Sequence, residues 1–156
     1  MFSSDDSSYM GLAIKEAEKA FASNEVPVGA IIVQHNKIIG KGRNRVIANQ
    51  NVSSHAEINA IINASQNINN YRLNNTKMYV TLEPCHMCAK AIIDARIDEV
   101  IFAAPEPKTG SIISIDNFFE RIKLNHKASY RHGLLMNESA KLLKEFFIER
   151  RKFSQY

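Results

Sequence analysis

The stretch YVTLEPCHMCAK, residues 79–90, decides how this chain is read. It opens as a strand, because β-branched and aromatic side chains favour the pleated conformation. It closes as a helix, because Pro84 loses nothing at a helix start, where its missing N–H would have no partner. The only two cysteines of the chain, Cys85 and Cys88, straddle that junction. A Cys-x-x-Cys pair on a turn into a helix brings two sulfurs close enough for one metal ion. The same spacing also suits a disulfide redox pair. Zinc usually takes four ligands, so the rest of the chain has to decide between the two.

Working outward, residues Ser8 to Asn24 predict a helix, with Met10, Ala13, Ile14, Ala17, Ala20 and Phe21 at helical spacing. VPVGAIIVQHNKIIGKG, residues 26–42, predicts a hairpin around the polar turn at 34–37. A helix is expected from near His55, capped by Ser53 or Ser54, and apolar almost all round, hence buried. KMYVTL (77–82) and EVIFAA (99–104) predict strands that bracket the helix 85–95. PEPKTGS (105–111) predicts a loop, Asn117 to Ile122 a short helix, and 137–153 an amphipathic helix with Ala140, Leu143 and Phe147 on one stripe. Strands alternating with helices predict an α/β layered fold, a mixed sheet with helices on both faces.

The 156 residues fit a single domain, 1–156, and 45% hydrophobic with 23% charged residues is a globular composition. No apolar run approaches the roughly 18 residues of a membrane span. The start MFSSDDSSYMG lacks the basic and apolar parts of a secretory signal. Two cysteines and no export signal point to the cytoplasm and away from a structural disulfide. From Arg121 to Tyr156 nine Lys/Arg stand against three acids, a net +6, whereas the first 120 residues carry −2. Such a basic last quarter suits either a solvated helix face or a polyanionic partner.

Of five histidines, His35 falls in a turn, His86 lies between the cysteines, and His126 and His132 lie in the basic region. His55 opens a helix and is followed by Glu57. His-x-Glu followed by Pro-Cys-x-x-Cys is the pattern of zinc deaminases acting on nucleobases. Two thiolates and one imidazole leave zinc's fourth position open for water, as in catalytic rather than structural sites. A nearby carboxylate, here Glu57, is needed to take the proton of the activated water.

The resemblance is narrower than the metal pattern. EVPVGAIIV, GKGRNR, HAEINA, NYRL, MYVTLEPCHMCAKAI, KTG, LNH and LLKEFFIERR together resemble the bacterial tRNA-specific adenosine deaminases, from about Tyr9 to Lys152. That resemblance implies a cytidine deaminase-like three-layer α/β/α sandwich. It implies one Zn²⁺ per subunit on His55, Cys85 and Cys88, a proton shuttle at Glu57, and conversion of the wobble adenosine of a tRNA anticodon stem-loop to inosine by attack of zinc-activated hydroxide on C6. Asn44 would hydrogen-bond the flipped nucleotide, with Val28 and the backbone of Ala56 framing the base. Gly29 would let the backbone approach closely there or simply pack the strand. Lys108, Arg150, Arg151 and Lys152 would contact RNA, one of Phe146 and Phe147 would pack inside while the other faces RNA, and the protein would be a homodimer. Where the family carries an Arg-Asp pair before Lys-Thr-Gly, this chain has Pro105-Glu106-Pro107, keeping an acid but losing the arginine. The competing readings are a free guanine or cytosine deaminase with the same ligands, and a zinc-stabilised RNA-binding protein without catalysis.

Overall fold

The computed structural model describes residues 1–121 and 123–153. Ten elements follow one another: α1 (Ser4–Ala22), β1 (Gly29–Gln34), β2 (Lys37–Arg43), α2 (Ala56–Ile68), β3 (Thr76–Leu82), α3 (His86–Asp94), β4 (Glu99–Ala104), a 3₁₀ turn (Phe118–Glu120), β5 (Ser129–His132) and α4 (Met136–Phe153). The strands form one mixed sheet in the order β2-β1-β3-β4-β5. β1 runs antiparallel to both β2 and β3, and β3, β4 and β5 run parallel.

Side-chain alternation along the strands builds two cores, one on each face. Ile31, Val33, Tyr79, Ile101 and Ala103 meet α1 through Met10 and Ala13. Ala30, Ile32, Met78, Val80, Val100 and Phe102 meet α2 and α3 through Ala56, Ala60, Ala64, Ala89 and Ile92. α4 joins the α1 face, where the Ser139 hydroxyl donates to the Thr81 carbonyl oxygen at 2.6 Å. The expected three-layer sandwich with a mixed sheet is therefore the observed one. Among the described residues no helix is long and apolar enough to cross a membrane.

Several local expectations are corrected. α1 begins at Ser4 rather than Ser8, because Ser3 and Asp6 form a capping box four residues upstream. The hairpin turn narrows to His35 and Asn36, both at positive φ (49° and 62°), the two-residue geometry that matches strand twist. Neither Ser53 nor Ser54 caps α2; His55 occupies the N-cap without a side-chain cap bond. α2 is buried on one side only, and Ile62 on the other is 50% exposed. The short helix shrinks to one 3₁₀ turn, and its expected last residue, Ile122, lies outside the described residues. On α4 the packed stripe is Ser139, Leu142, Leu143 and Phe146; Ala140 and Phe147 face outward. Strand β5 was not expected.

Gly29 is a packing position: a Cβ there would lie 2.0 Å from the Ala13 carbonyl oxygen, so only glycine lets α1 sit this close to β1. At the opposite end of the sheet, Arg131 on β5 ties three elements together. It donates to both carboxylate oxygens of Glu99 (2.9 and 3.1 Å) and to Asp6 Oδ2 at 3.1 Å. The Tyr79 hydroxyl donates to Asp6 Oδ1 at 2.6 Å. Burial opposes the charge on Asp6, but Tyr79, the Ser3 N–H and Arg131 outweigh it and hold the pKa at about 2. A depressed carboxylate pKa contributes stability above the unfolded value that disappears as pH falls through the folded one. Asp6→Asn is therefore expected to be less stable than wild type at pH 7, by on the order of 2 kcal/mol. That gap should close between pH about 4 and about 2, as read from urea unfolding across that range.

Candidate active site

Strand direction places the site. β2 and β3 are both antiparallel to β1, so they point the same way, and β4 is parallel to β3. The carboxyl ends of β2, β3 and β4 thus open at one end of the sheet, where α/β folds commonly bind ligands. The chain leaves β2 towards Asn44 and His55, leaves β3 towards Glu83 and Cys85, and leaves β4 into the loop 105–114. Val28, immediately before β1, closes the same end.

Two helix N-termini converge there. His55 is the N-cap of α2 and Cys85 the N-cap of α3, and neither side chain makes a capping bond. Giving up a Ser, Thr, Asp or Asn cap costs about 1 kcal/mol each, so these positions are committed to something else. His55 Nδ1 lies 3.5 Å from Cys88 Sγ and 3.8 Å from Cys85 Sγ. All three donor atoms fall within 4.8 Å of one another, and among the described residues they form the cluster able to hold a metal ion.

The donor set fits zinc. Bonds of about 2.3 Å to sulfur and about 2.0–2.1 Å to nitrogen at a tetrahedral centre put sulfur and nitrogen roughly 3.6 Å apart. Without an ion the cluster shares protons. The Cys88 contact and the His55 partner pull the Cys85 thiol down to about 4 against the effect of burial. Its contact with Cys85, together with burial, keeps Cys88 protonated well above the ordinary thiol range. The bond to Cys85 raises the imidazole of His55. A metal would displace those protons, and the positive ends of two helices favour the thiolates that remain.

Glu57 sits one helical step inside α2 at 4% exposure, and burial pushes its carboxyl up to about 7. It faces a pocket of about 220 Å³, smaller than the roughly 300–1,000 Å³ of drug-sized ligand sites and on the scale of one flat base. Asn44 lines the same pocket, and its Oδ1 accepts from the Ala56 N–H at 2.8 Å. Asn44 thus supplies the cap that His55 cannot, and its orientation is fixed with the amide NH₂ left to donate. The Ala56 N–H is consumed by that bond rather than open to the pocket. Val28 and Glu106 also line the pocket. The Glu106 carboxylate also accepts from the Lys108 N–H within its own loop at 2.9 Å.

The other histidines and the residues expected to contact RNA lie elsewhere. His86 pairs with Asp116 at 2.9 Å, His126 bonds the Ile97 carbonyl at 2.8 Å, and His132 stacks on Phe102, so none joins the cluster. Lys108 and Lys152 are exposed outside the pocket. Arg150 donates to the Asn24 carbonyl oxygen at 3.2 Å and lies over Phe146, and Arg151 donates to the Phe147 carbonyl oxygen at 3.3 Å. Phe146 is 4% exposed and Phe147 47%, one inside and one outside as expected.

Two buried carboxylates beside the site, Glu25 and Glu83, were given no role in the sequence reading. Glu25 accepts from the Ile47 and Ala48 N–H groups (3.1 and 2.8 Å), fixing the loop between Asn44 and His55. Glu83, 3% exposed, accepts from the N–H groups of Glu106, Ile112, Ile113 and Ser114 and from the Ser114 hydroxyl. The only sequence signal for either is an acid beside an apolar run.

Fold and cluster together define a class, and comparison with known proteins agrees with it: residues 3–104 match the model of the cytidine and deoxycytidylate deaminase zinc-binding region, and the chain belongs to that family. Within it, the chain belongs with the tRNA-specific adenosine deaminases. It is 45% identical to the one from Haemophilus influenzae over 148 residues, 94% of this chain and 86% of the relative. It also superposes with a TM-score of 0.85, at 39% identity and over 87% of this chain and 99% of the other, on a structure from studies of A-to-I editing by tRNA:A34 deaminases at the wobble position of transfer RNA. A guanine deaminase from Nitrosomonas europaea shares the fold at 21% identity, with a TM-score of 0.75 over 94% of this chain and 85% of the other. The site holds one Zn²⁺ per chain. Purified protein is therefore expected to carry about one zinc by elemental analysis, and Cys88→Ala almost none. Stripping the metal with a chelator should lower the melting temperature, because metal binding energy is folding energy.

Proposed function

We propose that this protein hydrolyses the wobble adenosine of a tRNA anticodon loop to inosine and ammonia, with Glu57 as the proton shuttle. The observation that carries the reading is the placement of a buried carboxyl, its pKa pushed to about 7, beside three metal donors in a base-sized pocket. Zinc on His55, Cys85 and Cys88 supplies acidification of water to near-neutral pKa. Glu57 accepts the proton of the water that adds to C6 and delivers it to N1. It then takes the remaining proton from the C6 hydroxyl and hands it to the departing amine, so that C6=O forms as the C6–N bond breaks and ammonia leaves. A group whose pKa lies close to the working pH serves both steps. Asn44, held by Ala56, donates its amide to the extruded nucleotide, and Val28 packs against the base.

The RNA chain itself is held by phosphate contacts. Lys108, Arg150, Arg151 and Lys152 are the cations offered, with the exposed ring of Phe147 available for stacking. The protein works in the cytoplasm, where tRNA is processed. It acts as a homodimer that covers the outer side of α2, where Ile62 stands exposed.

The test is inosine formation in a synthetic anticodon stem-loop with purified protein. Wild type should produce inosine, with rates that fall steeply as salt rises. Glu57→Ala should retain zinc and produce none; His55→Ala should lose metal and activity together. Activity in Glu57→Ala would remove the shuttle assignment. Turnover of free guanine or cytosine with none on the stem-loop would mean a free-base deaminase instead, and zinc with RNA binding but no inosine would mean a non-catalytic module.

A further inference from the structure

We infer that Glu83 is a positioning residue, whose carboxylate sets the loop 105–114 as the outer wall of the substrate pocket. The inference rests on the deaminase reading above and adds to it the device that shapes nucleotide binding.

The Ser111 N–H on the Pro84 carbonyl oxygen (2.9 Å) and the buried Ile112 side chain anchor the middle of the loop, and one carboxylate gathers its two ends. The loop leaves β4 at Ala104 and contains Pro105 and Pro107, neither of which can donate a backbone hydrogen bond. Its first and last thirds are gathered onto one carboxylate. Glu83 Oε1 accepts from the Glu106 N–H at 3.1 Å and from the Ser114 hydroxyl. Oε2 accepts from Ile112, Ile113 and Ser114 N–H groups at 3.0, 2.8 and 3.0 Å. Five donors converge on a group with about four lone-pair sites, so the carboxylate is saturated as an acceptor. Gly110 lies on the same group: a Cβ there would come within 2.3 Å of Glu83 Cδ. The loop has been drawn in until only glycine fits.

What is positioned follows from exposure. Glu106 and Thr109 line the pocket together with His55 and Glu57, yet Thr109 is exposed and Glu106 half-buried, whereas Glu57 is buried. The loop therefore forms the mouth of the pocket and touches the nucleotide around the base rather than the reacting carbon. Losing its register weakens contacts present in the ground state and transition state alike, which raises KM more than it lowers kcat. A purely structural role would instead lower the fraction of active enzyme and leave KM alone.

Glu83→Gln is the direct probe. It keeps the shape of the side chain but turns one acceptor oxygen into an NH₂ group facing N–H donors. On the anticodon stem-loop the variant should show KM raised about tenfold, kcat within about threefold of wild type, and one zinc per chain retained. Ser114→Ala deletes one donor and leaves the carboxylate intact. It should raise KM about threefold in the same pattern and gives the answer if Glu83→Gln does not fold. An unchanged KM, or a fall in kcat or in zinc content with KM unchanged, overturns the inference. Wild-type protein inactive on the stem-loop would overturn the proposed function itself, a result visible before any variant is compared.

Discussion

Everything at the active end of the molecule depends on two helices beginning at the same point in space. α2 starts at His55 and α3 at Cys85, and their first turns bring one imidazole and two sulfurs to 3.5–3.8 Å separations. Neither start is capped by its own side chain, so the conventional stabilisation of a helix N-terminus has been given up twice at one site. Asn44 restores one of the missing bonds from twelve residues away in sequence, by accepting from the Ala56 N–H. Forming the ligand set and orienting Asn44 are therefore one structural event. A change that moves α2 against β2 would disturb the metal donors and Asn44 together.

Buried acids are the second theme. Asp6, Glu25 and Glu83 each accept backbone N–H groups, and each fixes a segment with no regular structure of its own or a helix start. Asp6 secures the start of α1 far from the pocket, Glu25 the loop between Asn44 and His55, and Glu83 the loop after β4. A charged acceptor makes a stronger bond than a neutral one, which suits short connections that must hold one conformation. Glu57 behaves differently: burial raises it to about 7, whereas hydrogen bonds outweigh burial at Asp6 and Glu83 and hold them below the usual carboxylate range. The same residue type is thus held charged or pushed towards neutrality according to whether N–H donors or apolar surface surround it.

Much of this was legible from residue order. The strand–Pro–Cys-x-x-Cys–helix junction and the His-x-Glu start announce themselves through short spacings, and short spacings survive folding. The hairpin and helices α1 to α4 follow from periodicity. What escaped depends on contacts between distant segments. β5 is four residues, SYRH, exposed at both ends and half-buried in the middle, with no alternation to reveal them; it is held by Arg131 reaching Glu99 and Asp6. α2 reads as apolar all round, but its alanines Ala56, Ala60 and Ala64, flanked by Ile61 and Ile68, face the core while Ile62 stands outside. Glu83 reads as an acid next to a proline until the loop 105–114 folds back across it.

The central claim is that three side chains of this chain hold zinc and the fourth position stays open to water beside Glu57. X-ray absorption at the zinc edge measures that directly. The expected spectrum has two sulfurs at about 2.3 Å and two light atoms at about 2.0–2.1 Å, with multiple scattering from a single imidazole. A second imidazole, or a third sulfur, would mean a closed structural site and would contradict the assignment.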